Sequence, residues 1–150
     1  TVRRLALAAA VRLPGFATAA LRNVSPRLRA GPLVRRRLLL DPLPGTLCPQ
    51  PWVNVDGVRR RLDDVLGEGF AVVSAGAPHP ALASLARRLY APVLPVRRGD
   101  PLATWLRRGH AGAALLRPDR VVLATARRRR GLPGADLARA APTWLHLVAA

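Results

Sequence analysis

The sequence predicts an α/β domain of element order β-α-β-α-β-β-α, preceded by a basic helical segment. Three observations carry that expectation. Short runs of Val, Ala and Leu alternate with segments whose apolar residues recur every three or four positions. Pro80 and Pro101 stand where two of those periodic segments begin, a position at which the missing proline N–H costs nothing. Arg117-Pro118-Asp119-Arg120 separates two apolar runs as a turn with proline at its second position. At 150 residues, half of them hydrophobic, the chain buries one core of ordinary size.

Taken in order, Val2 to Leu13 sets Val2, Leu5, Ala9 and Leu13 on one side of a helix. Pro14-Gly15 interrupts it and Phe16 to Arg22 continues it. Asn23 to Pro51 is punctuated by Pro26, Pro32, Pro42, Pro44, Pro49 and Pro51, and reads as a connection with little regular structure. The domain boundary is placed at Asp41, which leaves residues 1–40 as tail and linker and residues 41–150 as the domain.

Phe70 to Ser74 is a short apolar strand, buried on both faces if central. The helix opened by Pro80 carries Leu82, Leu85, Ala86 and Leu89 on one stripe, with Arg87 and Arg88 off it. Ala91 to Val96 is the second strand. Pro101 to Arg108 is a helix with Asp100 as its cap and Leu102, Trp105 and Leu106 inward. Ala113 to Leu116 and Val121 to Thr125 are strands joined by the Arg117–Arg120 turn. Leu137, Ala140, Ala141, Trp144, Leu145 and Val148 repeat at helical spacing, and Pro142 off that stripe kinks the helix outward. A right-handed crossover followed by a hairpin and a covering helix is the thioredoxin arrangement.

The net charge of +17 is unevenly placed. Thr1 to Leu40 holds nine arginines and no acid; Asp41 to Asp100 holds seven arginines and six acids; Pro101 to Ala150 holds nine and two. The folded centre is therefore nearly neutral. The aromatic residues (Phe16, Trp52, Phe70, Tyr90, Trp105, Trp144) are not interleaved with the arginine runs, as a base-stacking platform requires. Nucleic acid is accordingly not an expected partner, and solvated or interdomain arginine is the reading of the charge. Arg3-Arg4, Leu5 to Val11 and Ala17-Thr18-Ala19 imitate a signal peptide, but Arg12 and Pro14 break the apolar run. The longest uncharged stretch, Gly69 to Ala86, contains Pro78, His79 and Pro80, so no membrane span is expected. The cytoplasm is the expected compartment. Every basic residue is arginine and no methionine occurs, which suggests a GC-rich bacterial genome and a piece of a longer protein.

No set of residues for catalysis, cofactor binding or metal binding assembles in the sequence. The single cysteine, Cys48, has no partner, and the start of the first long helix reads Gly76-Ala77-Pro78-His79-Pro80 without sulfur, so dithiol exchange is excluded. Gly67-Glu68-Gly69 lacks the third glycine of a dinucleotide fingerprint, with Val72 in its place, and is read as a turn. Asp63-Asp64 is read as surface charge paired with Arg59, Arg60 and Arg61 on a short helix. His79, His110 and His146 stand without a close second metal ligand. Ser25, Ser74 and Ser84 lack the nucleophile elbow. Arg127 to Arg130 is a charge run that is usually a solvated loop and less often grips an acidic partner or a phosphate.

Several segments taken together resemble a known family. Gly45-Thr46-Leu47-Cys48-Pro49-Gln50-Pro51-Trp52-Val53, then Arg61-Leu62-Asp63-Asp64-Val65-Leu66-Gly67 with Phe70, then Trp105, then Arg117-Pro118-Asp119-Arg120-Val121 are similar to the C-terminal region of FAD-dependent aromatic hydroxylases of the hydroxyphenylpropionate and phenol hydroxylase branch. Val121 departs from the aromatic residue frequent there. The resemblance implies a thioredoxin-like domain without redox cysteines, following the helical tail of a substrate domain. It also implies a parent monooxygenase that hydroxylates a phenolic ring with FAD, NAD(P)H and oxygen, its cofactor bound upstream and not by this chain. Upstream FAD-binding and substrate domains, and a homodimer contact, are the implied partners. A free-standing, non-redox thioredoxin-like interaction module and a basic nucleic-acid-binding protein are the alternatives.

Overall fold

The computed structural model describes residues 27–31, 34, 41–127, 133, 134, 136 and 137. The helices expected over Val2–Leu13 and Phe16–Arg22, and most of the one expected from Leu137 to Val148, lie outside these residues.

The first regular element is a hairpin, β1 (Trp52–Val55) and β2 (Val58–Arg61). Asp56 and Gly57 join the strands at φ 52° and 79°. Both residues are left-handed, the type I′ geometry whose twist matches that of paired strands and which Asp-Gly suits best. The strands pair antiparallel with Trp52 opposite Arg61 and Val55 opposite Val58. This corrects the expected placement of Arg59–Arg61 on a short helix: all three lie on β2, which is exposed along its length. The helix α1 (Leu62–Leu66) starts only after them. It buries Leu62 and Leu66 and ends at Gly67, whose N–H donates to the Asp63 carbonyl at 3.0 Å.

Four strands form the main sheet: β3 (Ala71–Ala75), β4 (Val93–Val96), β5 (Ala111–Leu116) and β6 (Val122–Arg127), in the order β4-β3-β5-β6. The helix α2 (Pro80–Arg88) carries the chain from β3 to β4, which pair in parallel. The helix α3 (Pro101–Arg108) returns it to β5, antiparallel to β3, and β6 closes antiparallel on β5. This is the thioredoxin-like arrangement, with each of these strands and helices within a few residues of its expected bounds; the expected covering helix lies mostly outside the described residues. Val121, expected in the last strand, instead makes an isolated bridge to Leu47.

Side chains alternate across the sheet and divide the core in two. Val72, Ala113, Leu115 and Leu123 pack on Leu82, Leu85 and Ala86 of α2. Ala71, Val73, Ala114 and Leu116 pack on Leu102 and Leu106 of α3 and on Leu62 and Leu66 of α1. Because β3 is central, four of its five residues are buried, each apolar one stabilising the fold by about 1–3 kcal/mol according to size. His79 caps α2, its Nδ1 accepting from the Ala81 N–H at 3.1 Å. Asp100 occupies the cap position of α3 but makes no side-chain cap bond. Its Oδ2 instead accepts from the Arg97 N–H at 2.7 Å, while its own N–H donates to the Arg97 carbonyl, so the preceding turn takes the carboxylate.

The segment before β1 also touches the domain. Val34 is buried, the Leu28 N–H donates to the Gly45 carbonyl at 2.9 Å, and Thr125 Oγ1 of β6 lies 2.7 Å from Asp41 Oδ2. Among the described residues no helix is long and apolar enough to cross a membrane.

Candidate functional site

In a thioredoxin-like sheet the functional end is the one where β3 leads into α2. Here that junction is Gly76-Ala77-Pro78-His79-Pro80. The His79 side chain is committed to capping α2, and its N–H donates to the Pro133 carbonyl at 2.9 Å. A thiol is missing, and so is a nucleophile of any other kind. Ser74, on β3 just before the junction, is fully buried, and its Oγ has no partner among the described residues. Ser84 accepts weakly from Arg87 at 3.4 Å on the exposed side of α2.

Three of the segments quoted above for their family likeness, Gly45–Val53, Arg61–Gly67 and Arg117–Val121, come together elsewhere, around the β5–β6 turn. Arg120 closes that turn with φ 62°, and its N–H donates to the Arg117 carbonyl at 2.9 Å. Its guanidinium reaches Asp63 Oδ1 at 2.6 Å, the Gly69 carbonyl at 3.2 Å, and the Gly67 carbonyl. Its own carbonyl accepts from the Cys48 N–H at 2.9 Å, and Leu47 bridges Val121 beside it. This corrects the expected pairing of Asp63: its partner is Arg120, 57 residues away, and not the arginines three or four positions earlier. The reason is geometric. Arg59 and Arg61 are held on β2 with their guanidinium carbons 5.2 and 5.3 Å from the centroid of the Trp52 ring. Both can stack there because Arg61 is directly opposite Trp52 and Arg59 is its diagonal neighbour.

Cys48 sits in the same joint and is buried. Burial pushes its thiol from the ordinary 9.0 up to about 12; the Arg120 charge pulls the other way and Asp63 adds a smaller upward push. A thiol so protonated is a packing residue and not a nucleophile. The turn reading of Gly67-Glu68-Gly69 holds, since the segment links α1 to β3 and gives two carbonyls to Arg120. His110 is exposed, and no group of three His, Cys, Asp or Glu side chains among the described residues could hold a metal ion. Ser25, His146 and Arg128–Arg130 lie outside the described residues.

One concave feature went unread in the sequence. A cleft of about 610 Å³ opens where β3 and β4 end and β5 begins, lined by Gly76, Arg97, Arg98, Gly99, Thr104 and Arg107 among others. The available signal was Arg97-Arg98-Gly99 immediately after a predicted strand, with Arg107 on the helix that follows.

Fold and joint together define a thioredoxin-like α/β domain that carries no redox thiol pair. The chain belongs to the family described as aromatic-ring hydroxylase, C-terminal, which matches residues 41–146. Among solved structures it is similar to aklavinone-11 hydroxylase in complex with FAD and aklavinone, at 26% identity and a TM-score of 0.50, over 80% of this chain and 25% of that one. Anhydrotetracycline hydroxylase OxyS from Streptomyces rimosus shares the fold at 21% identity and a TM-score of 0.52, over 87% of this chain and 24% of that one. The chain thus spans about a quarter of the length of these solved enzymes. No curated protein sequence matches it.

The described residues lack the dinucleotide-fold seat for FAD. In that seat the pyrophosphate takes free N–H groups at a helix N-terminus reached through a glycine-rich strand-to-helix turn. Of the two such turns here, β3 to α2 spends the Ala81 N–H on the His79 cap, and both helices begin with proline.

Proposed function

We propose that this chain is the C-terminal structural and subunit-contact domain of an FAD-dependent aromatic-ring monooxygenase. The parent enzyme hydroxylates a phenolic ring with NAD(P)H and oxygen in the cytoplasm. Residues 1–40 are then the helical tail of a preceding substrate domain with its linker, and residues 41–150 the terminal domain. FAD and substrate are held by upstream domains, and no residue of this chain takes part in catalysis. A homodimer contact is part of the same reading.

The family match over residues 41–146 carries this proposal. The joint around Arg120 supports a structural role, because the segments that carry the family likeness are spent on holding a hairpin, a helix end and a loop together. The test is to express the reading frame extended upstream of Thr1 beside the Thr1–Ala150 chain. The extended product is expected to be yellow and to consume oxygen with NAD(P)H when a phenol is added. The short chain is expected to retain no flavin after desalting. Stoichiometric flavin on the short chain, or none on the extended one, overturns the proposal.

A further inference from the structure

The cleft at the end of β3 and β4 is independent of the Arg120 joint and of any flavin. Arg97 and Arg98 reach it from the loop after β4, and Arg107 from the outer face of α3 beside Thr104. Among the described residues no acidic side chain lines it. The nearest acid along the loop, Asp100, turns its carboxylate to the Arg97 N–H at 2.7 Å. Among the described residues no carboxylate pairs with Arg97, Arg98 or Arg107; the ion pairs there are Arg117–Asp119 and Arg120–Asp63. Three arginines and no carboxylate among the described residues thus line one concavity, a concentration of positive charge that an anion offsets.

The place and the size agree with a ligand site. In α/β sheets ligands settle outside the carboxyl ends of the strands, where the connection pattern changes sides. Here β3 and β4 are parallel neighbours whose carboxyl ends lead to helices packed on opposite faces of the sheet, α2 and α3, and the cleft lies at those ends. Its volume of about 610 Å³ falls in the ordinary range of small-molecule pockets. Planar guanidinium forks match phosphate oxygens two at a time, and Thr104 adds a hydroxyl. Ala75, Val96, Ala103 and Ala111 supply an apolar wall for the rest of the molecule.

We propose that this cleft binds a small molecule through its phosphate groups, held by Arg97, Arg98 and Arg107. The test is calorimetric titration of the full chain with inorganic pyrophosphate, ADP, citrate and a single-stranded oligonucleotide at physiological salt. Saturable one-site binding of pyrophosphate or ADP is expected. R98A and R107A are each expected to weaken it about tenfold with unchanged circular dichroism. R88A, on α2 and away from the cleft, should leave it unaltered, and R98Q checks that loss of charge rather than of packing is responsible. Tighter binding of ADP than of pyrophosphate assigns a nucleotide, and equal binding assigns phosphate alone; both support the site. Absence of saturable binding, equal loss in R88A, citrate bound as tightly, or an oligonucleotide that binds better than ADP overturns it.

Discussion

Arg120 and Asp63 are 57 residues apart, yet their side chains meet at 2.6 Å, fastening the β5–β6 turn to the start of α1. The arginine side chain is nearly buried, 11% exposed, whereas that of Asp63 is 56% exposed. Arg120 also serves the carbonyls of Gly67 and Gly69, so the two partners are unequal in weight.

That inequality is measurable. R120A should cost about 2 kcal/mol, because two carbonyl contacts and the ion pair are lost together. Alanine at φ 62° suffers the same backbone strain as arginine, so the change reports the side chain alone. D63N should cost less than about 1 kcal/mol, since its half of the pair is screened by solvent. Urea unfolding of the two variants separates them; equal losses would mean that the carbonyl contacts contribute nothing.

Cys48 should resist alkylation. Its thiol is pushed up to about 12, chiefly by burial, so at pH 8 the native protein holds almost no thiolate. Iodoacetamide is expected to label it far faster in urea than in the native state. The sign of the stability effect follows. A thiol more basic in the folded state favours folding fully below pH 9, and that contribution is lost as pH rises from about 9 toward 12. C48S should keep the fold and flatten this alkaline loss. An alkaline stability profile identical to that of the wild type would contradict the assignment.

The β1–β2 hairpin should answer to its turn. Gly57 sits at φ 79°, and G57V places a β-branched side chain in a left-handed conformation at a cost of about 1–2 kcal/mol. Opening the hairpin separates Arg59 and Arg61 from Trp52, so tryptophan emission should change while the sheet's far-ultraviolet dichroism is retained. R61A should reproduce part of the emission change and cost about 0.5–1 kcal/mol. Global unfolding on G57V would show that the hairpin is coupled to the main core.

Gly134 faces the core side of α2. A Cβ there would lie 2.7 Å from Leu82 Cβ, and its φ of 112° is foreign to other residues. G134A is expected to destabilise by about 2–4 kcal/mol, from overpacking and backbone strain together. Thermal unfolding checks it, and a loss under 1 kcal/mol would mean that Leu82 moves aside freely.

Val34, ahead of the domain, is 3% exposed. V34A should cost about 1–2 kcal/mol, and a chain that starts at Asp41 should be less stable than a chain that starts at Arg27 by at least that amount. Equal stability of the two truncated chains would show that the earlier segment contributes nothing to the folded domain.

Local chemistry alone determined much of this protein. Proline at the first turn of α2 and α3, leucine spacing along both helices, the buried run of β3 and the Arg117–Arg120 turn are properties of neighbours in the chain, and their order specifies the thioredoxin-like sheet. The lack of a second cysteine removes thiol exchange by sequence alone. Even so, the Asp56-Gly57 hairpin signal was present and unread, because prolines before it and arginines after it masked the alternation of β1 and β2. What only the tertiary structure decided are choices among competing partners. Asp63 had three arginines nearby in sequence and paired with a fourth; Asp100 could cap its helix and instead closed its turn. The cleft gathers arginines from a loop and a helix that meet only when β4 and α3 pack on the sheet. Charged side chains are long and their preferences weakly directional, so the backbone path, set by burial of apolar residues, selects which of several acceptable partners lies within reach.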